Sequence, residues 1–290
     1  MFVAAVASGL VLGGMYALIA MGLTLQYGVA RIMNLAHGEL MIAAAFAAFW
    51  LLTSAAVNPL VGLLLVVPAA FAVSWAIYRL LLIPLVARAP NRDALEVDSI
   101  LATFGMLFVI QGVMLAMFGG AYYSYSFLAF PVNIAGATVA ANRLLALGFA
   151  AAIGLGLYLY LTRTRLGTAV RAVAVDPNSA PLVAIDVRAT AALAFAFGGA
   201  LVAAGGVLVS MFLTFNANIG VVFTMKALIV VIMGGVGNLL GCLVAGLILG
   251  LVETFVATWI DPGLTLAATY AIFLVVLLVR PQGLFGTASR

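Results

Sequence analysis

Ionisable side chains are scarce in this chain, and the few that break its apolar runs mark where chemistry could occur. Its 290 residues include 12 Lys and Arg, 8 Asp and Glu, one His and one Cys. His37 and Glu39 stand two apart in Arg31-Ile-Met-Asn-Leu-Ala-His-Gly-Glu39, a spacing that puts them on different faces of a helix. No Cys, second His or carboxylate pair joins them at metal-ligand spacing, so the pattern does not read as a zinc site. Ser8, Ser54, Ser74 and Ser99 all lack the GxSxG context of a nucleophile elbow. Gly234-Gly-Val-Gly-Asn238 carries no lysine and precedes an apolar helix, which excludes a phosphate-binding loop. Cys242, inside an apolar segment, has no partner for a disulfide or metal. The chain reads as a non-enzyme without a metal or cofactor of its own.

Ionisable groups inside apolar spans are costly and usually functional. Glu39 and Glu253 are the candidates here. Glu253 either pairs with Lys226, the chain's single lysine, or reaches an interface. Glu39 follows His37-Gly38 at the start of a helix, where the dipole favours a carboxylate. Capping, lining a path and relaying protons all remain open for it. Gln26, Gln111, Asn216 and Asn218 read as inter-helix hydrogen bonds or loop groups.

The elements that position these residues follow from composition. The chain is 67% hydrophobic and 7% charged, with mean hydropathy +1.32. Soluble domains are about 45–50% apolar and about 25% charged, so this chain folds in another solvent. About 20 apolar residues cross the hydrocarbon layer. Candidate spans lie near 8–29, 39–57, 60–84, 99–118, 143–162, 189–213, 224–236, 239–259 and 264–280, of which 224–236 is too short to cross alone. The expectation is an all-α polytopic membrane bundle of eight to nine passes, one domain over 1–290. The N-terminal run lacks a basic n-region, so it reads as a span rather than a signal peptide. Glycines spaced three or four apart, as in Gly241, Gly246 and Gly250, serve close helix packing.

Arginine distribution sets the orientation. Arg79, Arg88 and Arg92 follow the third span, Arg163, Arg165, Arg171 and Arg188 the fifth, and Arg280 and Arg290 lie in the tail. Alternating passes put all of them on one face, the cytosol, and leave Arg143 and Lys226 near the other. The net charge of +4 therefore tracks the bilayer and implies no nucleic acid. The N-terminus is expected outside and the C-terminus inside, with 121–142 as an external loop.

Two glycine-rich segments, 31–39 and 233–241, interrupt the apolar runs. Irregular backbone at membrane depth survives only when buried in protein or lining a wet cavity. Either both are ordinary surface turns, or they line a path through the membrane. The path candidates are Asn34, His37, Gly38, Glu39, Gly234, Gly235, Gly237 and Asn238. The polar stretch 163–188 reads as two short helices, 168–175 and 179–185, with Thr164 or Thr168 as cap and Asp176-Pro177 as stop. Such a pair suits either a partner's groove or the headgroup layer.

Four segments in register resemble the high-affinity branched-chain amino acid ABC transporter permeases, in particular the shorter of their two permease subunits. They are MNLAHGE (33–39), RTRLGTAVRAVAVDPNSAPLVAIDV (163–187), MGGVGNLLGCLVAGLILGLVE (233–253) and RPQGLFG (280–286). The chain departs from that pattern at Leu35, where Phe is common, at Ala184, where Gly is common, and at Leu240, where Pro is frequent. The resemblance implies a bacterial inner-membrane import subunit. Its partners would be a second related permease, two ATP-binding subunits that hold the ATP, and a periplasmic solute-binding protein. It also implies that 163–188 docks on the ATPase, through Arg165, Gly167, Arg171, Asp176, Pro177 and Asp186. Branched-chain amino acids are the expected cargo; urea or short amides share the motifs, and an ATP-independent carrier or channel is the remaining rival.

Overall fold

The computed structural model describes residues 2–89, 92–134 and 137–286. Ten helices make up the bundle: α1 Phe2–Ala30, α2 His37–Ala55, α3 Pro59–Arg88, α4 Arg92–Phe118, α5 Ala141–Arg163, α6 Arg165–Val175, α7 Val187–Ser210, α8 Gly220–Gly234, α9 Leu239–Trp259 and α10 Thr265–Val279. Among the described residues eight are long and apolar enough to cross a membrane, α10 together with the 3₁₀ turn before it (Pro262–Val279); α6 and α8 are not. Among the described residues the sole sheet is a hairpin, β1 Pro131–Ile134 and β2 Ala137–Ala140, inside the segment read as an external loop. Tyr125, just before it, bonds Ser210 at 2.7 Å at the end of α7.

Local sequence explains most boundaries. Asn58 accepts from the Leu60 N–H with Pro59 at the first helical position, which starts α3. A π-turn, Tyr78–Leu82, runs through α3 near its end. Asp261 caps the 3₁₀ turn Pro262–Leu264 that leads into α10. Arg31 stops α1 in the left-handed region, with φ 55, and turns the chain back.

α1 and α7 form the core, and close helix contact is written into their glycines. A Cβ on Gly13 would meet Leu247 Cα at 2.7 Å, and one on Gly246 would meet the Ala17 backbone at 2.7 Å. Backbones this close replace the hydrophobic drive that lipid cannot supply. By contrast α4 and α10 expose Leu101, Val109, Leu274 and Leu278, as lipid-facing or partner-facing helices do.

Phe2 stacks on Phe255 and Trp259 at one end of the bundle. At the other, the tail at Leu284 and Phe285 bonds Met233 and Gly234, beside Arg31 and α6. Phe2 and Phe285 thus lie at opposite ends. Arg31, Arg163, Arg165, Arg171 and Arg280 gather at the tail end, called the basic face below, while Arg143 bonds Ser8 at the other. Arg290 and the Arg92 side chain fall outside the described residues. Lys226 is not near a face at all: it is buried in the bundle.

Candidate functional site

The polar stretch after α5 folds into one amphipathic helix and a 3₁₀ turn. Thr164, not Thr168, is the cap: its hydroxyl accepts from Gly167 N at 3.0 Å, so α6 starts at Arg165 rather than at 168. Gly167 packs against the backbone of Tyr160 and Leu161, where a Cβ would have no room. Val170 and Val173 point into the bundle, while Arg165, Leu166 and Arg171 are exposed. Asp176 closes the turn beyond α6, accepting from Asn178 N at 2.9 Å and from the Ser179 hydroxyl. Pro177 is half-buried behind it. The second turn is Ala180–Val183, shorter than the expected 179–185, and it ends at Ala184 with φ 60. Asp186 then caps α7 through Ala189 N at 3.0 Å. Leu182 and Val183, at 86% and 68% exposure, form the apolar tip of this element.

The break after α1 carries the chain back into the bundle. Asn34 is fully buried and donates to Gln26 Oε1 at 3.1 Å, while Gln26 donates to the Phe195 carbonyl of α7 at 3.1 Å. His37 Nε2–H donates to the Ile19 carbonyl at 3.0 Å. Ile19 stands eleven residues before Ala30, about 16 Å up α1, so α2 begins at mid-depth. There it meets the N-terminus of α8. Gly38 N–H donates to the Thr224 hydroxyl at 2.8 Å, and Thr224 in turn donates to the Leu35 carbonyl at 3.2 Å. A Cβ on Gly38 would collide with the Gly220 carbonyl. Glu39 stands in the first turn of α2 yet directs its carboxylate to the first turn of α8, beside Gly220. The positive end of α8 suits an anion there. No side chain caps α2 itself.

The second glycine-rich segment lies elsewhere. Gly235, with φ 99, and Gly237, with φ 84, turn the chain between α8 and α9, and Asn238 caps α9 through Gly241 N at 2.9 Å. Asn238 also donates to the Phe285 carbonyl at 3.2 Å, which binds the tail motif to this turn. Gly234 and Gly241 touch so closely that neither has room for a side chain. His37, Gly38 and Glu39 therefore sit towards one end of α8, with Asn34 beside Gln26 on the way to it, and Gly234, Gly235, Gly237 and Asn238 at the other end. Fourteen residues, about 20 Å, separate the groups.

The family model for the branched-chain amino acid transport system permease component matches residues 5–279. The chain belongs to that family. Among curated relatives, the high-affinity branched-chain amino acid transport system permease proteins LivH of Salmonella typhimurium and of Escherichia coli are each 29% identical to it, over 305 and 308 residues. BraD of Pseudomonas aeruginosa is 30% identical over 288 residues; each alignment covers 96% of this chain and 94% of the relative. These relatives are transport permeases, not enzymes. No solved structure matches the chain.

Two features of the permease escaped the sequence reading. The first is a second descent to mid-depth, 211–219, leading to α8. Phe215 pairs there with Tyr123, and Asn218 accepts from Gln111 Nε2 at 2.9 Å. The clue was the pair Asn216 and Asn218 directly before Gly220. The second is the place of Tyr16 in a buried cluster. Lys226 Nζ lies 2.5 Å from Glu253 Oε1 and 2.8 Å from the Tyr16 hydroxyl, with its ammonium 4.8 Å from the Tyr16 ring centre. One of the two roles weighed for Glu253, pairing with Lys226, is the one observed.

Proposed function

We propose that this permease is the membrane-spanning subunit of an ATP-driven importer of branched-chain, hydrophobic amino acids in a bacterial inner membrane. It works with a second related permease, two ATP-binding subunits that carry the nucleotide, and a periplasmic solute-binding protein. The basic face is cytoplasmic, in keeping with the arginine bias of inward-facing loops, and the N-terminus is periplasmic. The whole chain acts as one permease domain.

The observation that carries the reading is the apolar tip Leu182–Val183, held out from the bundle by a capped, arginine-bearing helix. Exposed apolar residues rimmed by charge mark a protein contact. Arg165 and Arg171 give the rim its charge. Gly167, Asp176, Pro177 and Asp186 hold the element's shape, so force applied at the tip passes into α7 rather than into a loose loop. α7 lies against α2, where Met41 leaves no room for a Cβ on Gly206, and against Gln26 of α1 at Gly198. Movement of α7 thus reaches the crossing of α2 and α8. Rigid-body rocking of that kind opens a path alternately to each side. The path runs past Asn34, His37, Gly38 and Glu39 and leaves by the turn at Gly234, Gly235, Gly237 and Asn238.

Replacing Leu182 and Val183 together with Asp tests the reading in the assembled complex. The variant inserts normally but loses the ATP-binding subunits on purification and loses uptake. Retained ATPase and full uptake would overturn the docking assignment.

A further inference from the structure

Two cavities on the flank of α1 join end to end. The first, about 480 Å³, opens on the basic face between α1, α5, α6 and the α8–α9 turn, and Arg31, Arg171, Thr162 and Asn238 supply its polar lining. The second, about 390 Å³, continues from it between α1, α5 and α9, past Gly14, Met21, Ala150, Gly154, Leu243 and Leu247. Tyr158, Leu239 and Leu240 belong to both. Among the described residues no acidic side chain lines either one. The result is a groove with a cationic mouth and an apolar stem.

Its dimensions fit a membrane leaflet. Tyr158 and Leu147, at the two ends of the stem, are eleven residues apart on α5, about 16 Å. That is about half of the ~30 Å hydrocarbon core. The stem is flanked by Leu155, Leu240 and Leu243, which are exposed on the bundle surface. Arg31 is fixed at the mouth by its bond to the Ala174 carbonyl at 3.3 Å, which leaves further guanidinium N–H groups for a ligand.

We propose that this groove holds one anionic phospholipid of the basic-face leaflet, with its phosphate between Arg31 and Arg171 and an acyl chain along Gly14, Gly154 and Leu247. Charge complementarity selects this occupant over a neighbouring transmembrane helix, which would fill the stem but leave two arginines without an anion. Basic pockets between helices on that side of a membrane are suited to anionic headgroups. The site shares Arg171 with the docking element proposed above and Asn238 with the path, so its test reads lipid labelling of the groove rather than ATPase binding or uptake.

The test uses the assembled, purified complex in phosphatidylcholine nanodiscs containing a trace of phosphatidylglycerol with a diazirine on its acyl chain. After irradiation, peptide mapping is expected to find label on Ala151, Leu155, Leu243 or Leu247. Unlabelled phosphatidylglycerol suppresses it, whereas phosphatidylcholine and soluble glycerol phosphate do not. Arg31→Gln and Arg171→Gln each lower labelling on the order of fivefold. Gly154→Leu also lowers it, and the substitution is tolerable because a Cβ there makes ordinary contact with Met21 Sδ at 3.5 Å. Equal labelling by a phosphatidylcholine probe would sink the proposal. So would competition by glycerol phosphate alone, or crosslinks from the groove to a neighbouring permease subunit in place of lipid. The lipid competition needs no variant, so poor folding of a mutant leaves the question decidable.

Discussion

The Glu39 carboxylate presses on Gly220, so that a single added carbon on that glycine would overlap both carboxylate oxygens. Gly38 meets the carbonyl of the same residue and the Thr224 hydroxyl, so the two helix starts cross at backbone distance. Gly220→Ala and Gly38→Ala must therefore force α2 and α8 apart, at about 1–3 kcal/mol each from overpacking. Uptake by the assembled transporter should fall at least tenfold for either variant. Gly112→Ala, with open space around the glycine, is the matched control and should transport normally. Normal uptake by the two crossing variants would show that this contact is not needed.

The Lys226–Glu253 pair is buried on both sides and shares Tyr16. A buried pair adds little net stability, but removing one partner strands a charge at about 3–5 kcal/mol. Lys226→Met should thus lower the thermal midpoint of the purified complex sharply. Adding Glu253→Leu to it should recover most of the loss, since two apolar side chains of similar volume need no counter-charge. A double variant as unstable as the single one would mean that the ammonium serves some contact other than Glu253.

Ala184 stands in the left-handed region with φ 60, directly after the apolar tip Leu182–Val183. A left-handed residue with a Cβ costs about 1–2 kcal/mol. Ala184→Gly should relax the turn after Val183, seen as an unchanged fold with slower amide exchange at Ile185, whose N–H bonds the Ala180 carbonyl across this turn. Faster exchange there would show that the alanine is favoured by its surroundings.

The spans were legible because lipid solvation writes itself into composition: a helix with no water to bond must be long, apolar and sparsely charged. Thr164 was legible as a cap candidate and Asn238 as a polar break for a similarly local reason, since a side chain bonds the backbone two or three residues on. Depth was not legible. Whether 31–36 lies at the surface or inside depends on His37 finding the Ile19 carbonyl and Gly38 finding Thr224, contacts set by helices distant in sequence. The descent at 211–219 stayed hidden because its ordinary loop residues sit between two apolar runs. The pairing of β1 with β2 was not legible because a neutral loop carries no charge or hydropathy signal.

Cysteine labelling can separate the two groups of path residues. The native Cys242 is buried and within 2.9 Å of the Thr24 hydroxyl, so it should stay silent toward a water-soluble maleimide and can remain in place. A cysteine at position 238 replaces a residue that lines the open cavity on the basic face, so Asn238→Cys should react in the resting complex. Asn34→Cys replaces a fully buried side chain and should be protected at rest. If the crossing of α2 and α8 opens during transport, Asn34→Cys gains reactivity when ATP and solute are both supplied, and loses it again when nucleotide is withdrawn. Protection of Asn34→Cys in every nucleotide state, with transport intact, would remove 34–39 from the path and leave the crossing as packing alone.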